Sequence, residues 1–307
     1  MKNILGIDVG GTKISYAIIN NIGDFVSPIT KIQTPKKIDD MVNLFKQIIS
    51  EHEKNVDAIA FATAGAVNLT NTKVDSSTPN LPKGYNKIDF TNLSTKPVYV
   101  ENDANAAAFA EFKKGAAKGA THTIIITIGT GIGGGIISGG KLLRGKSGRG
   151  GEVGSIKIYP DFRRKCTCGG YDCWEAYASG TGLQITAQEF AQKDSSFKNS
   201  CLKNKKPVEI TTYDIVEGLE NKDNFSKKVF EIWQQDLVAG LISLTNIFDP
   251  ESIIISGGMG EFINFEKLEK QINSSIVVSP IKLLPAKMKN DAGMVGAALL
   301  VFQKYND

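Results

Sequence analysis

Several things are scarce in this chain, and each scarcity excludes something. Four cysteines in 307 residues are too few for a disulfide scaffold and point to a reducing compartment, the cytoplasm. No stretch approaches the roughly eighteen uninterrupted apolar residues of a membrane span. The opening segment, Met1 to Asp8, is not a signal peptide, because Gly6, Asp8 and the glycines that follow break the apolar run. Charge of one sign is also lacking: the formal net charge is +4 and the lysines are spread along the chain. Without a basic stripe, a nucleic-acid partner is not expected. Finally, nothing matches G-x-x-x-x-G-K-[ST], so a Walker A loop is absent.

What remains has the balance of a globular protein, 41% apolar and 22% charged, with length enough for one large domain or two ordinary ones. Residues 3–20 read as strand, glycine turn and strand, with Gly10-Gly11-Thr12-Lys13 between two β-branched runs. A similar unit returns at residues 123–138, where Ile124 to Ile128 leads into Gly129-Thr130-Gly131-Ile132-Gly133-Gly134-Gly135 and then Ile136-Ile137. This is an internal repeat, one unit opening each half.

Between the two units, residues 39–53 have helical periodicity through Met41, Leu44, Phe45, Ile48 and Ile49. Residues 57–62 and 97–101 read as strands, and the second runs through Asn102-Asp103 into an alanine-rich helix at 104–114, with Gly115 as its C-cap. Residues 194–224 are polar surface helix and loop; residues 225–248 form a long amphipathic helix stopped by Asp249-Pro250. A strand at 252–255 meets Ser256-Gly257-Gly258, and a last helix covers about 292–304. Alternating strands and helices with two repeated openings predict an α/β protein of two similar halves, with a boundary near residues 115–120.

Residues Gly129 to Gly134 fit G-x-G-x-x-G, yet a dinucleotide site needs a helix directly after the glycines and a returning strand follows here. The better reading is a pair of hairpin turns, Gly10, Gly11 and Thr12 in one and Gly129, Thr130, Gly131 and Gly133 in the other. Their exposed N–H groups would form anion nests facing each other across a cleft and holding a polyphosphate. Asp8, at the end of the first strand, suits Mg²⁺ held through water.

These segments carry a resemblance. Asp8-Val9-Gly10-Gly11-Thr12-Lys13, Gly129 to Gly135 and Ser256-Gly257-Gly258 resemble the phosphate 1, phosphate 2 and adenosine motifs of the sugar kinase/actin/Hsp70 superfamily. Glu101-Asn102-Asp103-Ala104-Asn105-Ala106, Gly151-Glu152-Val153-Gly154 and Cys166-Thr167-Cys168-Gly169-Gly170-Tyr171-Asp172-Cys173-Trp174-Glu175 further resemble the ROK family (repressors, open reading frames, kinases). The resemblance extends to Asp291 through Ala298. It implies an actin-like (ribonuclease H-like) fold with two similar α/β halves around an ATP and sugar cleft. The small domain would span residues 1–117, completed by a helix at about 290–307, and the larger one residues 118–289.

For function, the resemblance implies an ATP-dependent sugar kinase of glucokinase type that phosphorylates a 6-hydroxyl and works as a homodimer. N-Acetylmannosamine and N-acetylglucosamine are the alternative substrates. Asp103 would be the catalytic base, as phosphoryl transfer to an alcohol requires. Asp8, Gly10, Gly11, Thr12, Lys13, Thr130, Gly131, Gly133, Gly257 and Gly258 would bind ATP and Mg²⁺. Gly65, Asn80, Asn102, Asp103, Glu152, Ser155 and Glu175 would bind the sugar, with Cys166, Cys168 and Cys173 on Zn²⁺. The rival class is a sugar-sensing repressor, which carries a DNA-binding domain ahead of the first phosphate motif. That motif begins here at residue 7, leaving no room.

Two departures from the family pattern matter. Where the family has Glu-x-Gly-His, this chain has Glu152-Val153-Gly154-Ser155, and its only histidines, His52 and His122, lie elsewhere. The zinc site then has three thiolates and no evident fourth ligand: water, Asp161 or another oxygen completes it, Cys201 moves in, or it is empty. The usual Pro-Gly of the sugar domain is Ala64-Gly65 here. Both changes loosen the inference to glucose and raise the N-acetylated sugars.

Overall fold

A computed structural model describes residues 1–288 and 291–306. Residues 289, 290 and 307, where the sequence reading put the start and end of the C-terminal segment, lie outside the described residues.

The first half runs β1 (Asn3–Val9), β2 (Lys13–Asn20), β3 (Thr30–Gln33), α1 (Ile38–His52), β4 (Ala58–Thr63), β5 (Ala66–Val67), β6 (Val74–Ser76), β7 (Val98–Asn102) and α2 (Asp103–Lys113). Next come β8 (Thr123–Ile128), β9 (Ile132–Ser138), β10 (Lys141–Leu142), α3 (Glu175–Ala178), α4 (Gly180–Ala191), α5 (Thr212–Glu220) and α6 (Asn224–Phe248). The chain closes with β11 (Ser252–Ser256), α7 (Phe265–Asn273), β12 (Lys282–Pro285) and α8 (Ala292–Asn306). Among the described residues no helix is long and apolar enough to cross a membrane.

One sheet has the order β3-β2-β1-β4-β7, the other β10-β9-β8-β11-β12. Counted from its own first strand, each reads 3-2-1-4-5, so the repeat seen in the two glycine hairpins extends to whole sheets. In the first sheet β1–β2 and β2–β3 are antiparallel while β1–β4 and β4–β7 are parallel. Its register sets Asp8 opposite Ala62 and Ala62 opposite Glu101.

The chain divides into two compact units. One comprises residues Met1–Ile125 and Gly135–Gly151 and the chain from Ala286 onward; the other comprises Ile126–Gly134 and Glu152–Pro285. The first unit's core packs the periodic face of α1 (Met41, Phe45, Ile48, Ile49) on Leu5, Ile7, Ile59 and Phe61 of the sheet. Phe61 meets Phe45 and Phe90 edge-on, with ring centroids 5.2 and 4.9 Å away. Such pairs add to plain area burial. In the second unit α6 starts at the Asp223 cap, whose side chain accepts from Ser226 N–H, and ends at Asp249 with φ +44°. Trp174 and Trp233 are fully buried there, their indole N–H groups donating to the carbonyls of Asp236 and Ser179.

Gly115 departs from expectation. The C-cap of α2 is Lys114, and Gly115 needs no left-handed backbone. Instead, a Cβ on Gly115 would lie 1.9 Å from Glu111 Oε2. The Glu111 carboxylate is buried and accepts the N–H groups of Ala116, Lys287 and Met288. Close packing, not chain reversal, requires glycine here.

Replacing Phe61 by Ala should destabilise the first unit by about 3–5 kcal/mol, the usual cost of deleting a buried ring. Both tryptophans lie in the other unit, so circular dichroism at increasing urea is the suitable probe. An unchanged midpoint would mean that the aromatic cluster does not hold this core.

Candidate active site

The first unit gathers its predicted residues at the ends of β1, β4 and β7. Asp8 stands near the end of β1, and Asp103 begins α2 immediately after β7. The Asp103 side chain is open to solvent and accepts the adjacent Ala104 N–H, at 2.8 Å. Surrounding protein still desolvates it enough to raise its pKa, against the pull of that N–H and of its own backbone N–H. Burial pushes the Asp8 carboxyl up from 3.8 to about 7; the Asp103 charge adds to the rise, Lys13 opposes it, and Asp291 adds further. Asp291, just before α8, thus acts on the Asp8 carboxyl as Asp103 does. The sequence motifs imply no role for it.

Asn102 is the N-cap of α2: its Oδ1 accepts Asn105 N–H at 3.1 Å and its Nδ2 donates to the Gly65 carbonyl at 3.0 Å. So the structure brings Asn102 and Gly65 together, through each other. Gly65 has φ +110°, and a Cβ there would lie 2.4 Å from the Ser76 carbonyl, so only glycine fits. Tyr85, fully buried, bonds Thr63 through its hydroxyl at 2.9 Å; burial raises its pKa, so the phenol stays neutral.

The first glycine turn is closed by Gly10 N–H on the Lys13 carbonyl, 3.0 Å. Thr34 braces it from β3's end, donating N–H to the Thr12 carbonyl and Oγ1 to the Gly10 carbonyl at 3.0 and 2.6 Å. Gly11 and Thr12 are exposed, and their N–H groups have no partner among the described residues. They line a depression of about 400 Å³ that also includes Thr34, Lys36, Asn80 and Lys83. Thr34, the brace, carries no sequence signal beyond lying in a loop.

In the second unit, Gly129 N–H bonds the Gly131 carbonyl at 2.9 Å, and the Gly129 carbonyl accepts Gly180 N–H at 2.8 Å. Glu175 reaches this turn: its Oε2 accepts Ile132 N–H at 3.0 Å. Its Oε1 accepts Thr167 Oγ1 at 2.8 Å and lies 3.6 Å from Cys166 Sγ. The short turn Val153–Ser155 packs on the same point, since a Cβ on Gly154 would lie 2.2 Å from the Ile132 carbonyl. Glu152 and Ser155, both exposed, are joined by Ser155 N–H on the Glu152 carbonyl at 3.1 Å. Gly257, with φ +87°, abuts the Ile128 carbonyl at the end of β8, and Gly258 opens the turn beyond it.

Cys166, Cys168 and Cys173 bring their sulfurs within 4.8 Å of one another. Three soft donors this close fit a thiophilic ion such as zinc. The loop is held by protein groups as well. Asp172 is almost fully buried and accepts Arg164 N–H at 2.9 Å and Tyr177 Oη at 2.5 Å. Burial works to raise the Asp172 pKa, but these donors and Arg163 N–H outweigh it and bring it down to about 2. Neither protein candidate for a fourth ligand joins the cluster. Cys201 is exposed and donates its N–H to Asp223; Asp161 is exposed and paired with Arg163 at 3.3 Å. Lys157 does join, its Nζ donating to Cys173 Sγ at 3.1 Å.

The elevated Asp8 pKa has a consequence for stability. Folded Asp8 holds a proton more tightly than unfolded Asp8, so stability from this group is present below about pH 4 and is lost as pH rises to about 7. Asp8→Asn should therefore be more stable than the parent at pH 8 without divalent cations, by about 2–4 kcal/mol. Mg²⁺ should narrow the gap. Melting temperature against pH in chelator, for both proteins, tests this; parallel curves would remove Asp8 from the linkage.

The sequence profile of the ROK family matches residues 4–304. A glucokinase of Streptomyces coelicolor is 33% identical over 96% of this chain and 96% of that protein. An N-acetylmannosamine kinase of Escherichia coli is 29% identical over 96% and 97%. Among solved structures, the ROK family glucokinase of Streptomyces griseus in complex with glucose and AMPPNP superposes with a TM-score of 0.76, at 32% identity, covering 97% of this chain and 98% of that one. The fold is that of the actin-like ATPases, as the sequence motifs implied. From its profile match, its relatives and its doubled 3-2-1-4-5 sheets, this chain belongs to the ROK family.

Proposed function

We propose that this chain is an ATP-dependent sugar kinase of glucokinase type that transfers the γ-phosphate of ATP to the 6-hydroxyl of a hexose. The observation that carries the reading is Asp103: a solvent-open carboxylate at a capped helix start, its pKa raised by desolvation and its charge felt by Asp8. A base whose pKa moves toward the working pH accepts a proton more effectively. As the sugar oxygen bonds to the γ-phosphorus and the bond to ADP breaks, Asp103 takes the hydroxyl proton. Gly11 and Thr12 offer N–H donors to phosphate oxygens, and Thr130 and Gly131 would do likewise from the second unit. Gly257 and Gly258 would receive the adenosine. Mg²⁺, bound with ATP near Asp8, would supply charge neutralisation.

Gly65, Asn80, Asn102, Glu152, Ser155 and Glu175 are proposed to orient the sugar. The relatives support a sugar as acceptor, since those named glucokinase and N-acetylmannosamine kinase match over almost their full length. One observation favours the N-acetylated substrates as a second reading. Ser155 is exposed and shorter than the histidine of the family pattern, which would leave more room for an acyl group. Cys166, Cys168 and Cys173 would hold zinc, tying the loop to α3 and hence to Glu175.

Asp103→Asn should lower turnover by about 10²- to 10⁴-fold while leaving ATP affinity in place and the melting temperature no lower than the parent's. Near-normal turnover would take Asp103 out of the mechanism. Coupled ADP release over glucose, N-acetylmannosamine and N-acetylglucosamine assigns the acceptor; no turnover with any hexose or amino sugar overturns the kinase reading. Metal analysis of untagged protein should find about one zinc per chain, because three thiolates suffice to retain it. Less than roughly a tenth of that would sink the zinc assignment.

A further inference from the structure

Glu101 is a fully buried carboxylate two residues before Asp103. Its two oxygens have different partners. Oε1 accepts the backbone N–H of Asn102 at 3.0 Å and Asn105 Nδ2 at 3.2 Å, gripping the chain on both sides of Asp103 and Ala104. Oε2 accepts Tyr99 Oη at 3.1 Å and Asn71 Nδ2 at 3.3 Å, and lies 3.6 Å from Arg144.

Arg144 comes from the glycine-rich stretch after β10, in the same compact unit. It also donates to Asn71 Oδ1 and, at 3.4 Å, to the Asn68 carbonyl. Asn71 completes the frame: it has φ +60°, is almost fully buried, and exchanges hydrogen bonds with the Val100 backbone through its Nδ2 at 2.7 Å and its carbonyl at 2.9 Å.

As a source of stability this arrangement is poor. A buried ion pair repays its desolvation only with excellent geometry and full hydrogen bonding. Here the contact is 3.6 Å long, and Arg144 Nε is buried with no partner among the described residues. An apolar pair of similar volume would hold the core at least as well. What the charged pair does provide is direction: one oxygen anchored to Arg144 and Asn71, the other aimed at the residues flanking Asp103.

We propose that Glu101 and Arg144 are positioning residues that fix the Asn102–Asp103 segment in its reactive placement. This rests on Asp103 being the base. Neither residue is offered a contact with substrate; they act through the backbone at Asn102 and the Asn105 side chain, and through Asn102 on Gly65.

The test compares Glu101→Gln, Arg144→Met and the double variant, measuring turnover, both KM values and melting temperature. Glu101→Gln should lose on the order of 100-fold in kcat, the effect of a small misplacement at a reacting group, with KM for sugar and ATP within about twofold. Arg144→Met should lower melting temperature by leaving Glu101 uncompensated. The double variant, neutral at both positions, should regain that melting temperature and still turn over slowly. If Glu101→Gln does not fold alone, the double variant carries the comparison. Recovery of kcat together with melting temperature, or failure of the double variant to fold, would overturn the proposal and leave the pair structural. So would a Glu101→Gln enzyme with parental kcat while Asp103→Asn is inactive. An active Asp103→Asn enzyme would instead overturn the base assignment.

Discussion

The parallel register of β1, β4 and β7 is the constraint on which the first unit depends. It sets Asp8 beside Ala62 and Ala62 beside Glu101, so that the strand ends carry Val9, Thr63 and Asn102 in line. A slip of one residue would turn every side chain of a strand to the opposite face. Asp8 would leave the solvent edge, Glu101 would leave its donors, and the helix that begins with Asp103 would start in the wrong place. Ligands in open α/β sheets bind beyond the carboxyl ends of parallel strands. Here that edge holds Asp8, Gly65, Asn102 and Asp103.

At this edge the carboxylates divide into two kinds. Asp8 and Asp103 have few donors and raised pKa values, conditions under which a cation or a proton is welcome. Glu101, a short step away, is surrounded by five donor groups. The difference lies in the environment, because all three are ordinary acids on the ends of β-strands or the start of a helix. Under-compensated charge at a working site commonly lowers the stability of the unliganded protein. The linkage at Asp8 is an instance with a defined pH window.

The second unit solves a different problem, holding a glycine turn and a loop rich in cysteine in fixed relation. Glu175 joins them, one oxygen on the Ile132 N–H and the other among Thr167 and Cys166. Asp172 orders the loop from inside through backbone N–H groups and Tyr177. The loop therefore has hydrogen-bonded order of its own, and three sulfurs are left grouped on it with the Lys157 ammonium against Cys173.

Much was legible in the sequence because it is local. The glycine hairpins, the period of α1, the alanine-rich α2 and the break at Asp249-Pro250 each depend on neighbours a few residues apart. Strands β5, β6 and β10 were not legible, being two or three residues long and defined by their partners. Gly115 looked like a cap until the Glu111 carboxylate beside it gave the glycine another reason. The sequence by itself determined the two-fold repeat and the two glycine turns, through short-range pattern and spacing, and it offered Asp103 as candidate base through resemblance to the family's motif. Only the tertiary structure decided that Asp291 shares the field of Asp8, that Thr34 braces the first turn, and that Arg144 faces Glu101. Each of those pairs is far apart along the chain, and proximity across such distances comes from sheet register and packing.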